Sequence, residues 1–472
     1  MDRKDIFCEI VKCECDKKFI NIKRIIMNSK EVEKDDLFVA IRGGNKFTGE
    51  ALEKGAYVVY DDKDIQIEEK FKEKAFYVND SVEFLQEFAE KWRKNLNLKV
   101  IGITGSNGKT TVKDMIHHLL SVKYKGKKTE GNYNNHIGLP FTLLRAEKGD
   151  DFIILEMGMS GFGEIDLLGK ISNPDVGVIT NIGESHLEFL KTKKNVFKAK
   201  TEIIPHTKET LVINGDDEYL KDIDENSLKE KGLKTVKILN MGNDKNHMEN
   251  IKKSVKSNND FYYGNIDFNE VETKFTLEYF DENCKKWTHK FYNTNVLGEH
   301  NILNLTIAVS VAKEMALGDE EIEKAVKDIV LTNMRFQIIT KGKTTYINDA
   351  YNASPMSMKK SLETFSKIYN DREKIAVIGD MLELGEQEGE LHASIFDVII
   401  NTNLNRLYLY GPRMRFLYDR IRENSNNENI KKIETEYFES KEQIKEKLEG
   451  IKEEKVVLIK ASRGMKLEEV ME

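Results

Sequence analysis

The chain has 472 residues, 74 Lys and Arg against 81 Asp and Glu for a net charge of −7, and 39% hydrophobic content. That length is too great for one core and points to about three domains of ~150 residues each. An acidic balance without a basic face argues against nucleic acid as a partner, and five prolines among 33% charged residues suit a folded, helix-rich, soluble chain. Four cysteines occur, Cys8, Cys13, Cys15 and Cys284. The C-x4-C-x-C cluster has no fourth ligand at a zinc-finger spacing, so reduced thiols are expected. The N-terminus has no apolar signal segment, and no run approaches the ~18 apolar residues of a membrane span. A cytoplasmic protein is expected.

Residues 1 to about 97 read as a small α/β unit. Asp36–Ile41 and Ala56–Tyr60 are short strands, Glu50–Lys54 is a helix closing at Gly55, and Phe84–Trp92 is a second helix. Then comes Val100-Ile-Gly-Ile-Thr-Gly-Ser-Asn-Gly-Lys-Thr-Thr-Val112, an apolar β-prone run entering a glycine turn. Val112, Met115, Ile116, Leu119 and Leu120 follow at i, i+3, i+4, i+7, i+8, which is helical spacing. Strand, glycine turn and helix with Lys-Thr at its start form a phosphate cradle, since backbone N–H groups and the positive helix end face the anion. Lys109 is placed to reach terminal phosphates and the Thr110 hydroxyl to hold Mg²⁺. Gly105 and Gly108 are separated by two residues, where the common P-loop has four.

Further along, Phe152–Glu156, Val176–Thr180 and Thr210–Asn214 are short apolar runs of the kind buried in parallel sheets. Polar residues gather just after them: Glu156, Thr180-Asn181 and His186. Ligands of open α/β sheets collect at those carboxyl ends. Phe261–Tyr263, Lys274–Phe280 and Lys286–Tyr292 read as antiparallel strands, after a loose, polar excursion over 241–260. Helices follow at His300–Val309 and Asp319–Val326. From about 330 the α/β alternation resumes, with strands Thr345–Asn348, Ile375–Ile378, Leu407–Tyr410 and Val456–Ile459 and helices Met356–Tyr369 and His392–Asn401. The fold class expected is α/β in three domains. A small N-terminal domain spans 1–97. A central P-loop-type mononucleotide-binding parallel-sheet domain with added antiparallel strands spans 98–329, and a C-terminal Rossmann-like domain spans 330–472.

A nucleotide site needs hard oxygen ligands for Mg²⁺, with imidazole tolerated. Glu156 and His186 follow strand ends in one sheet, so each is a ligand candidate; a structural hydrogen-bonding role is the alternative for His186. Gly131-Asn-Tyr-Asn-Asn-His-Ile-Gly-Leu-Pro140 has two readings, a turn-rich loop or a set of amides for a polar substrate.

These residues resemble the Mur ligase family. The resemblance runs through Thr104-Gly-Ser-Asn-Gly-Lys-Thr-Thr111, the asparagine loop, Glu156-Met-Gly-Met-Ser-Gly-Phe-Gly-Glu-Ile165, Thr180-Asn-Ile-Gly-Glu-Ser-His186 and Ala199-Lys-Thr-Glu202. It continues in Gly298-Glu-His-Asn301, Met334-Arg-Phe-Gln337, Asn348-Asp-Ala-Tyr-Asn-Ala-Ser-Pro-Met-Ser-Met358, Gly379-Asp-Met-Leu-Glu-Leu-Gly385 and Lys460-Ala-Ser-Arg-Gly-Met-Lys466. The last three, with the asparagine loop, point to the MurF branch. The resemblance implies an ATP-dependent amide ligase that joins D-alanyl-D-alanine to UDP-N-acetylmuramoyl-tripeptide through an acyl phosphate. It also implies two magnesium ions and a monomer.

Carried onto this sequence, the resemblance assigns Gly105, Ser106, Asn107, Gly108, Lys109, Thr110 and Thr111 to ATP, with Asn301 and Asn304 on the adenine side. Arg335 and Asp349 are its nucleotide contacts from the third domain. Metal ligands are Thr110, Glu156, His186 and Lys200, the last as a carbamate; without the family match, Lys200 reads as an ordinary helix-surface lysine. Lys109, His186 and Lys200 form the catalytic set. Ser29, Lys30 and Phe47 would meet the uridine substrate, although Lys30 stands where arginine is usual and Asn45-Lys-Phe-Thr-Gly-Glu50 lacks the usual Asp-Gly-His. Asn132, Asn134, Asn135, Asn352 and Ser354 complete the substrate residues. Two other readings stand beside this one: another amide ligase of the superfamily, for a different muramyl-peptide step or like folylpolyglutamate synthetase, and a nucleotide-dependent binding protein without catalysis.

Overall fold

The computed structural model describes residues 2–12, 20–242, 257–281 and 284–472. Cys13, Cys15 and most of the polar excursion lie outside these residues; Cys8 is buried and Cys284 exposed. The chain divides into two compact units, one of residues 1–104, 123–178 and 202–211, the other of 105–122, 179–201 and 212–472.

The first unit begins with a four-stranded, all-parallel sheet in the order Ile25–Ile26, Leu37–Val39, Tyr57–Tyr60 and Ala75–Tyr77. Its core holds Ile26, Val32, Phe38, Leu52 and Val58. The helix of this sheet runs Thr48–Glu53 and the next Ser81–Lys94. Asp80 caps the latter, its carboxylate accepting the N–H groups of Val82 and Glu83. Phe84, Leu85, Phe88, Ala89 and Trp92 are its buried face, the stripe that helical spacing creates. Across that stripe Gln86 donates to the His136 carbonyl and Trp92 to the Ala146 carbonyl. Arg93 pairs with Asp175 at 2.9 Å, both nearly buried, and Asp175 also accepts the Val100 N–H at 2.7 Å. The helix is thereby tied to parallel strands of the same unit, Gly126–Lys128, Phe152–Glu156 and Lys99–Thr104. Strands Phe152–Glu156 and Val176–Ile179 are buried along their length.

In the second unit, helix Lys109–Leu120 buries Val112, Met115, Ile116, Leu119 and Leu120 as the spacing predicts, and it also buries Lys113 and Asp114. Asp114 accepts from the Thr332 N–H at 3.0 Å and from its hydroxyl. The neighbouring helix Glu299–Glu314 is buried from Asn301 to Ala312 with almost no gap.

Strand Lys234–Gly242 precedes the expected hairpins. Phe261–Phe268 pairs with it in parallel, Ile238 opposite Phe261 and Gly242 opposite Gly264. This corrects the wholly antiparallel expectation for this region, which holds for Phe261–Phe268 with Thr273–Asp281 and for that strand with Lys286–Thr294. Residues 241–242 accordingly finish a strand rather than open an excursion.

From Gln337 onward a six-stranded sheet forms, in the order Gln337–Lys341, Thr344–Asn348, Lys455–Lys460, Glu373–Gly379, Arg406–Tyr410 and Glu434–Phe438. All its pairs are parallel except the first. Helix Pro355–Lys367 covers it, with Met358, Leu362 and Phe365 in the core. The single helix expected over His392–Asn401 is two short ones, Glu388–Ala393 and Phe396–Ile399. At the break the Ser394 hydroxyl donates back to the Leu391 carbonyl, a local bond that competes with the helical ladder. Among the described residues no helix is long and apolar enough to cross a membrane.

Candidate active site

The phosphate loop owes its shape to two glycines. Gly105 has φ +145°, and a Cβ there would fall 1.9 Å from the Thr180 hydroxyl. Gly108 starts the helix at φ +84°, with the Asn304 side chain 2.7 Å from the place of a Cβ. Both positions therefore need glycine for conformation and for space.

Asn181 clamps the turn between them: its Oδ1 accepts the Asn107 N–H and its Nδ2 donates to the Asn107 carbonyl, each at 3.0 Å. Thr180 donates to the same carbonyl at 2.6 Å. Ser106 donates to the Gly183 carbonyl and accepts from the Gly183 N–H and the Ser185 hydroxyl. Lys109 lies back along the loop, its Nζ donating to the Gly105 carbonyl at 2.7 Å. Thr110 and Thr111 are buried in the first helical turn.

The last third of the chain meets this loop within the same unit. Arg335 Nη2 donates to the Thr110 hydroxyl at 3.1 Å, and its guanidinium lies 4.0 Å over the Tyr351 ring. Ser354 Oγ donates to Asn107 Oδ1 at 2.9 Å while capping helix Pro355–Lys367. A cavity of about 280 Å³ beside Arg335 is lined by Leu297, Asn301, Thr332, Asn333 and Phe336. Asn301 donates to the Leu297 carbonyl, and Asn304 donates to Asn301. Next to Asn301 in the first turn of the same helix, His300 is pushed down to about 4 by desolvation.

Lys200 ends helix Lys193–Thr201 with 1% of its surface exposed. It is not a helix-surface lysine, because Val196, Ala199 and Lys200 make the inward stripe. Burial, and then the Lys109 charge, hold its amine well below the ordinary lysine range. His186 adopts φ +56°, and its Nδ1 is 2.8 Å from Glu383 Oε2.

Glu156 lies in the first unit, at the end of its strand. Its Oε1 accepts from Asn134 Nδ2 at 3.0 Å, and its N–H donates to Thr129. The asparagine loop is rich in turns, one of its two readings. Asn135 Oδ1 accepts the Ile137 and Gly138 N–H groups and so starts helix Gly138–Leu144. The Asn132 carbonyl accepts the Asn134 N–H, and a Cβ on Gly158 would meet the Asn134 amide at 2.9 Å.

Three expected residues belong to the N-terminal sheet region. Ser29 is buried in a short turn, with its carbonyl accepting from Lys54 at 2.9 Å; Lys30 is exposed; Phe47 packs on the local core. Asp349 was expected to touch nucleotide. Its carboxylate accepts from the Phe336 N–H at 3.1 Å, the Ser361 hydroxyl and Lys460 Nζ at 2.6 Å, which makes it a brace for the Arg335 segment. Asn352 lends its carbonyl to Lys460 at 3.3 Å. Tyr351 and Glu383 escaped the residue-by-residue reading although both sit inside motifs quoted for the family. An aromatic beside an arginine motif was the available signal for Tyr351.

Among the described residues no three of His, Cys, Asp and Glu gather into a metal cage. The hydroxyl, carboxylate and imidazole of Thr110, Glu156 and His186 are donors of the kind Mg²⁺ accepts.

Residues 103–312 match the Mur ligase middle domain, and residues 334–463 match the Mur ligase glutamate ligase domain. The UDP-N-acetylmuramoyl-tripeptide–D-alanyl-D-alanine ligase of Bacillus subtilis is 33% identical over 95% of this chain and 92% of its own length. Among solved structures, MurF ligase from Thermotoga maritima in complex with ADP is 29% identical, with a TM-score of 0.77 over 95% of this chain and 96% of that one. MurF from Acinetobacter baumannii shares the fold, with a TM-score of 0.80 at 24% identity over 99% of this chain and 97% of that one. With two family domains matched in order around the phosphate loop, and a curated relative similar along nearly its whole length, the chain belongs to the Mur ligase family.

Proposed function

We propose that the chain is an ATP-dependent ligase that joins D-alanyl-D-alanine to UDP-N-acetylmuramoyl-tripeptide, the last cytoplasmic step in making the peptidoglycan pentapeptide precursor. The observation that carries this reading is the similarity to the Bacillus subtilis ligase along 95% of the chain, N-terminal region included. The ADP complex of the Thermotoga maritima relative supports ATP as the phosphate donor.

A carboxylate is a poor electrophile, and transfer of the ATP γ-phosphate to it installs a leaving group. The amine of D-alanyl-D-alanine then attacks the acyl carbon, the C–N bond forms, inorganic phosphate departs, and the amine proton passes to solvent. In this chain the N–H groups at the start of helix Lys109–Leu120 cradle the phosphates, Lys109 turns from the Gly105 carbonyl to the terminal phosphate, and Arg335 supplies a second cation from the other side. The adenine is assigned to the cavity beside Asn301. Two magnesium ions, when bound, offset the repulsion between phosphate and carboxylate. Thr110, Glu156 and His186 are assigned to hold them. Lys200 joins them as a carbamate, formed when its neutral amine attacks CO2 and loses a proton. Ser29, Lys30 and Phe47 are assigned to the uridine substrate, within an N-terminal domain of residues 1–97, and the enzyme acts as a monomer. Contact of Arg335 and Ser354 with the phosphate loop favours a site that keeps water from the acyl phosphate.

Incubation with ATP, Mg²⁺, UDP-N-acetylmuramoyl-tripeptide and D-alanyl-D-alanine, followed by phosphate release and product mass, tests the reading. Phosphate release with the mass of the pentapeptide product is expected. ATP turnover without a ligated product overturns it, and dependence on folate and glutamate moves the chain to another branch of amide ligases.

A further inference from the structure

His186 and Glu383 are both non-glycine residues in the left-handed region, at φ +56° and +64°. Such a conformation is strained for a residue with a side chain and persists only where the surroundings fix it. Here the two residues face each other. Glu383 Oε2 stands 2.8 Å from His186 Nδ1, a buried nitrogen that has no in-line hydrogen bond. Around this contact the backbones also abut: the Glu188 N–H donates to the Glu383 carbonyl at 3.4 Å. A Cβ on Gly385 would lie 2.9 Å from the Glu188 Cα. Glu383 belongs to the loop that follows strand Glu373–Gly379, whereas His186 opens the short helix Leu187–Leu190.

An imidazole has two nitrogens, and the partner of one decides what the other offers. Once in line with Nδ1, the carboxylate 2.8 Å away would draw the ring proton to that side and leave Nε2 with its lone pair. Histidines that ligate metals are commonly held this way, by a carboxylate that accepts the other ring N–H and so fixes tautomer and ring plane. We propose that Glu383 is a positioning residue that aims His186 Nε2 at a phosphate-bound divalent ion. The inference rests on the reading of His186 as a metal ligand, and it adds that this ligand is made competent by the last third of the chain. Affinity for that ion then depends on the two loops being in contact, and separation of the loops releases it.

The test uses the full-length protein with Mn²⁺ as the probe, bound ions being counted by electron paramagnetic resonance in the presence of a non-hydrolysable ATP analogue. Wild type is expected to bind two ions. Glu383→Ala is expected to weaken one of them by 10–100-fold, to raise the KM for Mg²⁺, and to leave the KM for ATP within about twofold. Glu383→Gln, whose amide oxygen still accepts from an imidazole N–H, should recover most of the loss. In a His186→Ala background Glu383→Ala should add nothing, since two residues acting through one contact are non-additive. A further loss there means that Glu383 touches the ion directly and overturns the positioning role, as does unchanged Mn²⁺ affinity in Glu383→Ala. If the alanine variant does not fold, Glu383→Asp withdraws the carboxylate by one methylene while keeping its charge. Unchanged affinity in that variant equally overturns the proposal. A wild type that ligates but binds one ion refutes the ligand role of His186 and this proposal with it; a wild type that forms no ligated product refutes the ligase reading instead.

Discussion

A lysine with 1% of its surface exposed holds its charge only at a cost, and Lys200 has the Lys109 ammonium nearby as well. Conversion to a carbamate turns an unfavourable cation into an anion that a metal welcomes. Lys200→Ala is therefore expected to lower ligase turnover by on the order of 10²–10³-fold, and millimolar formate or acetate should restore part of it. Turnover of the alanine variant without additive, measured against wild type, checks this; near wild-type activity excludes a carbamate role. The sequence carried the position of Lys200 through its Ala-Lys-Thr-Glu motif but not its burial. In the helix Lys193–Thr201 six of nine residues are lysine or polar, so helical periodicity alone says little about which side faces in. Asp349 shows the opposite case. A family match placed it at the nucleotide, while its neighbours Phe336, Ser361 and Lys460 come from distant positions that no local pattern links.

Elements were legible where apolar runs were long and failed where pairing depends on partners far along the chain. The strands Phe152–Glu156 and Lys455–Lys460 are buried throughout and announce themselves. Gln337–Lys341 and Glu434–Phe438 lie at the two edges of their sheet and are half exposed, with three charged or polar residues of five in each. Edge strands need less hydrophobic surface, so their signal is weak. The ion pair that ties helix Ser81–Lys94 to the strands of its unit was likewise invisible before folding. Asp175 accepts from Arg93 and from the Val100 N–H, and Lys208 pairs with its other oxygen at 2.5 Å. Asp175→Ala leaves the Arg93 guanidinium buried without its anion, a change that costs about 3–5 kcal/mol. The midpoint of urea unfolding should fall accordingly, while Asp175→Asn, which keeps an acceptor for Val100, should fall less.

For the molecule as a whole, the α/β class, the phosphate loop and the family were readable because they rest on contiguous motifs. Contact between the C-terminal residues and the loop was not, since it joins Ser354 to Asn107 and Arg335 to Thr110 across more than 220 positions. The Ser354 hydroxyl supplies one hydrogen bond to this contact, worth about 1 kcal/mol net. Ser354→Ala should therefore raise the KM for ATP about fivefold with little change in kcat, as steady-state kinetics would show. Loss of its cap on helix Pro355–Lys367 would appear separately, as a lower Tm, and Ser354→Thr should keep both functions.

The parallel pairing of Lys234–Gly242 with Phe261–Phe268 fixes something about the polar stretch between them that composition alone does not. Both strands point the same way, so the chain leaving Gly242 has to come back to the level of Ile238 before Phe261 can begin. Ile238 and Gly242 are four residue steps apart, about 13 Å at ~3.3 Å each, and a two-residue hairpin cannot join parallel strands. The neighbouring hairpin into Thr273–Asp281 reverses direction and has no such distance to recover. The amino acids of the connecting stretch are thus free to drift, but its length has a floor: shortened to a hairpin turn, it would force Phe261–Phe268 to reverse direction and unseat every strand beyond it.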